Sequence, residues 1–480
     1  MFKYKFFNFL FLGLSALSIY NCKGPTLLEK PAGAKMPDSF SKTEETVDST
    51  NMAQLNWQEY FKDPALISLI DTALKNNQEL NISLQEIAIH KNEVQARRGE
   101  YLPFVGLNAG AGLDKPGRYT SKGANDASTD IAPGTPTPDP LSDFYFGAFA
   151  SWEIDIWSKL HNAKDAAAKR YLASIEGQRF MITNLVAEIA QDYYELVVLD
   201  RQLEIVEQNI TLQSAALRTV KLQKASSKVT ELAVKRFEAQ LLNTKSLQFG
   251  IKQSITETSN HLNYLLGRYP QEIPRSPSSL DLIIPDTVYA GLPSQLLANR
   301  PDIRAAEQKV QAAKLDLKVA KANFYPSLDL SAGLGYQAFK PSFLLNSPRS
   351  LLYNFAGDLG APLINRRAIK ATYYNANAKQ IQALYEYEAT VLQAYVEVIN
   401  ELSRIQNLQS SYQLKSAEVS ALNSSVKISN SLFQSARADY MEVLLTQREA
   451  LQSRFELIET KKQQIGAMVN IYRALGGGWK

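Results

Sequence analysis

Two periodicities alternate along the chain. Near residues 102–113, Val105, Leu107, Ala109, Ala111 and Leu113 alternate with Gly106, Asn108, Gly110 and Gly112. Near 144–156, Phe144, Phe146, Ala148, Ala150, Trp152, Ile154 and Ile156 alternate with residues that include Ser151, Glu153 and Asp155. Leu328, Leu330, Ala332, Leu334 and Tyr336 do the same against Asp329, Ser331, Gly333, Gly335 and Gln337 over 327–338. A fourth run, 351–363, sets Leu351, Tyr353, Phe355 and Leu359 against Asn354 and Asp358. A period of two with one apolar and one small or polar face predicts β-strands. Runs of about 10 to 12 residues suit strands that cross a bilayer. A soluble sandwich would alternate likewise, but aromatic residues near the strand ends favour the membrane.

Between the strand pairs the period changes. Val186, Ile189, Tyr193, Leu196, Leu203, Val206 and Ile210 recur at heptad spacing, as do Tyr412, Val419, Leu422, Val426, Ser429 and Phe433. That is the pattern of coiled-coil packing. No proline interrupts Lys159 to Gly267 or Asn365 to Lys480. Helical hairpins are therefore expected over about 159–267 and 365–475. A helix of about 65 to 70 residues is about 100 Å long, so two such hairpins cannot form one compact globule.

The chain reads as a duplicated unit. Ala73–Pro103 aligns without gaps with Leu296–Pro326, an offset of 326 − 103 = 223. Leu262–Gly267 aligns with Ile471–Gly476, an offset of 476 − 267 = 209. The first half therefore holds 223 − 209 = 14 extra residues, placed in the Pro-, Gly- and Ser-rich stretch Asp114–Asp143, read as an exposed loop. The layout is a first repeat over 56–267, a linker over 268–292 and a second repeat over 293–480. Each repeat runs helix, strand, loop, strand, long helix, turn, long helix.

The N-terminus adds a destination. Two lysines in Met1–Lys5 precede the apolar run Phe6–Leu17, the two regions of a secretory signal over residues 1–21. The run is shorter than the roughly 20 residues a spanning helix needs. Cys22, the sole cysteine, stands in Ile19-Tyr20-Asn21-Cys22. It resembles a lipoprotein acylation site, although Tyr20 is bulky and Asn21 replaces the usual small residue; an ordinary signal with an incidental cysteine is the alternative. Residues 22–55 read as a lipidated, extended leader.

Composition removes other classes. The 52 Lys and Arg nearly balance 48 Asp and Glu, with no long basic run, so nucleic acid is not an expected partner. One cysteine and three scattered histidines, His90, His161 and His261, offer no zinc site, iron–sulfur cluster or catalytic triad. The methionines are scattered and mark no copper route. Neither an enzyme nor a cofactor is expected.

Four strands cannot close a barrel, and open edges are not tolerated in lipid. Copies must associate, giving eight strands from a dimer or 12 from a trimer. Asn108, Glu153, Asp155, Asp329 and Asp358 on the inner face imply a wet lumen and favour 12.

At this point the chain resembles the TolC-like outer membrane factors, in the NodT-type lipoprotein branch of multidrug and metal efflux channels. Three segments carry the likeness: Gly291-Leu292-Pro293-Ser294-Gln295-Leu296-Leu297-Ala298-Asn299-Arg300-Pro301-Asp302-Ile303, Asp439-Tyr440-Met441-Glu442-Val443-Leu444, and Tyr472-Arg473-Ala474-Leu475-Gly476-Gly477-Gly478-Trp479. The likeness covers about residues 55–480. It implies a mainly α fold with a transmembrane β-barrel: a homotrimeric 12-strand barrel on a coiled-coil α-barrel. It also implies outer membrane lipid, a periplasmic adaptor and an inner-membrane RND-type transporter as partners.

By that resemblance the hairpin turns form the periplasmic mouth, with Ser226, Ser227, Lys228, Ala436, Arg437 and Ala438 docking the adaptor. The family usually has glycine where Ser227 and Ala436 align. Asp439 and Glu442 have two readings: a capping box at a helix start, or an acidic ring gating the mouth. The family's second acidic position is Leu445 here. Arg300-Pro301-Asp302 reads as a helix start. Arg366-Arg367 reads equally as a solvated helix start or as basic residues at lipid headgroups.

The expected function is thus the passive exit duct of a tripartite efflux pump, anchored in the outer membrane through Cys22 and reaching into the periplasm. A type I secretion duct is the alternative within transport. A coiled-coil spacer lipoprotein without a pore is the alternative outside it, but a spacer has no need of four strands with polar inner faces.

Overall fold

The computed structural model describes residues 27–31, 33, 35–40, 51–276, 288–364, 366–435 and 437–480. The signal segment, Cys22, about half of the 22–55 leader, part of the 268–292 linker and Ala436 lie outside the described residues. The chain divides into two compact units, and each draws on both repeats: residues 89–171 with 308–384 and the leader before 32, and residues 32–88, 172–307 and 385–480. The repeat is a unit of sequence: the sheet strands of both repeats lie in the first unit with the adjoining ends of the helices, and both hairpin turns lie in the second.

The first unit holds a four-stranded antiparallel sheet: β1 (Phe104–Asp114), β4 (Leu141–Ile154), β5 (Ser327–Ala338) and β6 (Leu351–Gly360), in that spatial order. The register keeps like faces together across all four. Leu107 pairs with Ala148, Ala148 with Leu334, and Leu334 with Tyr353. One residue along, Asn108 pairs with Gly147, Gly147 with Gly335, and Gly335 with Leu352. Because side chains alternate with period two, a single register slip would mix the faces. The apolar face stays exposed at Val105, Leu107, Leu113, Tyr353, Phe355 and Leu359. On the other face Glu153, Asp329 and Asp358 stand in one cross-strand row, and Lys159 Nζ lies 2.5 Å from Glu153 Oε1.

The stretch 114–141, expected as plain loop, contains α3 (Ser121–Ser128) and a hairpin of β2 (Asp130–Ala132) and β3 (Thr135–Pro136). Thr120 nucleates the helix: its hydroxyl accepts from Gly123 N–H at 3.2 Å. The turn-rich composition concealed that local cap.

The long helices follow the heptad pattern. Within each repeat a short helical pair leads to β1 or β5: α1 (Pro64–Asn76) and α2 (Gln78–Glu100), then α6 (Gln295–Asn299) and α7 (Pro301–Ala322). After each strand pair come a long and a shorter helix: α4 (Lys159–Ala225) with α5 (Glu231–Leu265), then α8 (Arg367–Gln434) with α9 (Tyr440–Ala474). In the helical unit Leu66, Ile70, Ile189, Tyr193, Leu196, Leu262, Leu266, Ile465 and Val469 form one buried cluster around the α1, α4, α5 and α9 segments. A second cluster joins Leu296, Ile303, Ala394, Val398, Met468, Ile471 and Leu475. Among the described residues, no helix is long and apolar enough to cross a membrane.

Candidate functional site: the hairpin turns and their roots

The duplication is visible in how each hairpin is fixed at its root. Gly267 and Gly476, equivalent in the repeat, both end a helix with positive φ, 66° and 92°, the left-handed cap that glycine adopts freely. Each lies against a carbonyl from the equivalent asparagine. A Cβ on Gly267 would sit 2.3 Å from Asn76 O, and one on Gly476 would sit 2.6 Å from Asn299 O. The next residues along, Asn77 and Arg300, are also equivalent, and both are buried, at 5% and 4% exposure. Asn77 Nδ2 donates to Leu265 O at 2.9 Å. Arg300 Nη1 donates to Ala474 O at 3.0 Å. Each hairpin thus has its last helical carbonyls held by a side chain from the segment that opens its own repeat.

The second clasp is ionic. Arg300 also grips Asp302 with two bonds, Nε to Oδ1 at 3.0 Å and Nη2 to Oδ2 at 2.7 Å. Its Nη1 reaches Glu397 Oε2 on α8 at 2.8 Å. A buried guanidinium needs such partners, because desolvation without them is prohibitive. In the sequence this arginine reads only as a helix start. The repeat alignment held a further sign, since it sets a buried amide and a guanidinium at one structural position.

A second carboxylate pairing also repeats. His261 Nδ1 lies 2.6 Å from Asp192 Oδ2, with Glu188 Oε1 3.8 Å from Nε2. At the equivalent place in the second repeat, Asn470 Nδ2 meets Glu401 Oε1 at 3.5 Å. Burial pushes the Asp192 carboxyl above its usual range, and His261 partly opposes the shift.

The turns themselves are held together. Leu217, Val220, Val234, Phe237 and Leu241 of the first hairpin share a cluster with Val443 of the second, with Phe433, Tyr440 and Leu444 packed against it. The α4–α5 turn closes with Ser227 N donating to Lys224 O at 2.8 Å and Lys228 N to Gln223 O at 2.9 Å, the double bond of a Schellman cap. Ser227 occupies the left-handed position at φ 58°, so serine carries a conformation that glycine would take without strain. The α8–α9 turn shares the longer bond, Arg437 N to Leu432 O at 2.8 Å.

The helices that leave the turns are capped alike. Thr230 accepts from Ala233 N–H at 3.4 Å. Asp439 Oδ1 accepts from Met441 N–H at 3.4 Å, and Glu442 N donates to Asp439 O at 3.2 Å. Ser226, Ser227, Lys228, Arg437, Asp439 and Glu442 are all exposed. Lys224 and Glu231 form an ion pair across the first turn. Among the described residues, no His, Cys, Asp or Glu group could hold a metal ion.

Registered strands with one continuous apolar face, each pair leading into a helical hairpin with exposed turns, define a channel-forming membrane protein. The family described as "Outer membrane efflux protein" matches residues 69–268 and 292–477, the two repeats in turn. The chain belongs to that family. It is similar to the solvent efflux pump outer membrane protein SrpC of Pseudomonas putida, 28% identical over 88% of this chain and 87% of the relative. It is 26% identical to the cation efflux system protein CusC of Escherichia coli O6:H1, over 97% of each chain. A crystal structure of a membrane protein from Pseudomonas aeruginosa superposes with a TM-score of 0.84 at 25% identity, covering 94% of this chain and 99% of that one.

Proposed function

We propose that the chain is the exit duct of a tripartite efflux pump, assembled as a homotrimer whose four-stranded sheets close a 12-strand barrel. The observation that carries this reading is the register. It keeps one apolar face and one face of mostly small or polar residues aligned across four strands whose outer members, β1 and β6, pair on one side only among the described residues. Edges of that kind are satisfied in lipid by a further strand, here from a second copy.

The helical hairpins then reach into the periplasm, and their exposed turns receive a periplasmic adaptor. Ser226, Ser227, Lys228, Ala436, Arg437 and Ala438 are the docking residues in this reading. Asp439 and Glu442 lie beside the shared cluster at the turns, so a change in hairpin packing moves them. They act as helix cap and as an acidic ring at the mouth. The duct is passive, and an inner-membrane transporter of the RND class supplies energy and selects the substrate. Relatives named for solvent efflux and for cation efflux match this chain over most of its length, which fits selection upstream of the duct. Acylation of Cys22 ties the leader to the outer membrane.

Single-channel recording of purified protein in planar bilayers tests the proposal. Low conductance in the native protein, rising in Asp439→Ala with Glu442→Ala, is the expected result. A correctly assembled protein that conducts nothing in either form would refute it.

A further inference from the structure

Where β6 hands over to α8, the chain changes character within a few residues. Leu359 is the last apolar side chain of the strand's outward row. Leu363 and Ile364 follow, 79% and 90% exposed. Three cations come next: Arg366, Arg367 and Lys370. Among the described residues, no carboxylate forms an ion pair with any of them. Arg366 is positioned by the chain itself: Nη2 donates to Phe324 O at 3.1 Å, and the guanidinium stands 4.9 Å from the centre of the Phe324 ring. Arg367 and Lys370 are exposed.

The first repeat treats the same place differently. Lys159, which opens α4 as Arg367 opens α8, is neutralised by Glu153 at 2.5 Å, and His161 lies 2.6 Å from Asp155. The positive charge in the second repeat is left open, immediately beside two bare apolar side chains.

The leader meets the molecule at the same turn. Leu27 packs against the Phe324 and Tyr373 cluster together with Ile369, which lies between Arg367 and Lys370. Asn377 Nδ2 donates to Leu28 O at 3.3 Å. Cys22 is only 27 − 22 = 5 residues earlier, a span of at most about 18 Å when fully extended. The leader residues Leu27 and Leu28 therefore lie next to these cations.

We propose that the β6–α8 junction is a headgroup site for anionic phospholipid. Leu363 and Ile364 enter the acyl boundary. Arg366, Arg367 and Lys370 hold lipid phosphates, each side chain laying its stem along apolar surface and its charge at the headgroup. The inference rests on the outer-membrane placement of the chain, and its test needs no conduction.

Full-length protein is reconstituted in phosphatidylcholine vesicles, and its association with spin-labelled phosphatidylglycerol is compared with that of spin-labelled phosphatidylcholine. Native protein is expected to prefer phosphatidylglycerol by about threefold or more at low salt, since each cation near an anionic surface is worth up to about fivefold. The preference should fall in about 0.5 M salt. Arg367→Gln with Lys370→Gln changes only exposed side chains, leaves Arg366 and its Phe324 contact intact, and should cut the preference about twofold or more. Lys245→Gln with Lys252→Gln, on the shaft of α5, should leave it unchanged. No preference in the native protein, or one undiminished in the Arg367 and Lys370 variant, overturns the proposal. So does displacement of the lipid by inorganic phosphate alone, which would mark a site for free anions.

Discussion

Replacing Arg300 with methionine keeps the apolar stem and removes the charge. Four bonds disappear: two to Asp302, one to Glu397 and one to the Ala474 carbonyl. Bonds to charged partners contribute about 1.5 to 3 kcal/mol each before correction. Removing one member of a buried ion pair costs about 3 to 5 kcal/mol. The partners moderate this, because the Glu397 and Asp302 side chains retain 31% and 16% exposure and can recover some water. The low end, about 3 kcal/mol, is therefore expected. Unfolding 480 residues carries about 1 kcal/mol/K of entropy, so the apparent midpoint should fall by about 3 °C. Circular dichroism of the helical signal in detergent reads it. Much of the loss is stranded negative charge, so Arg300→Met combined with Asp302→Asn and Glu397→Gln should recover about half. A shift under about 1 °C, or a triple variant no better than the single one, would refute the clasp as a stabilising element.

Gly267→Ala and Gly476→Ala should each lower the yield of assembled protein and the melting midpoint by about 1 to 3 kcal/mol equivalent, because φ is positive and a carbonyl lies in the path of the new Cβ; normal melting of either variant would contradict this. Ser227→Gly should raise stability by up to about 1 kcal/mol by relieving the left-handed serine, read as a higher midpoint with unchanged channel properties. Asp439→Asn keeps an acceptor for the α9 cap while Asp439→Ala loses it, at about 1 kcal/mol; if charge sets the gate both raise conductance, and if the cap does only alanine acts. The Asp192 carboxyl is raised by burial, so the folded chain binds that proton more readily than the unfolded one. Its contribution is favourable in acid and is lost as pH rises through the unfolded carboxylate range toward the folded value. Asp192→Asn should therefore match native stability near about pH 4 and exceed it near about pH 7, and an equal difference at both would contradict the assignment.

Local pattern carried most of the architecture. Period-two alternation is set by the geometry of an extended backbone, so Val105 to Leu113 and Leu328 to Tyr336 announce both strand and face before any partner is known. Heptad spacing and the absence of proline do the same for α4 and α8. The gap-free alignment also placed Gly267 and Gly476 at equivalent positions, and both prove to end a helix in the left-handed conformation. A helix start inside Asp114–Asp143 was not legible, because one hydroxyl, that of Thr120, decides it against a turn-rich background.

What sequence could not supply are the contacts between residues far apart in the chain. Arg300 reaches Glu397 and Ala474 across 97 and 174 residues, and Tyr193 finds Asp63 across 130. No local period encodes such pairs. They exist because burying a charge or hydroxyl demands a partner, and packing alone determines which one is within reach. The same holds for the open cations after β6: their composition matches that of any solvated helix start, and only the folded chain shows Lys159 neutralised while Arg367 and Lys370 form no ion pair among the described residues. Chain-local geometry wrote the elements and their faces into the sequence, and long-range desolvation selected the few contacts that bind them into a structure.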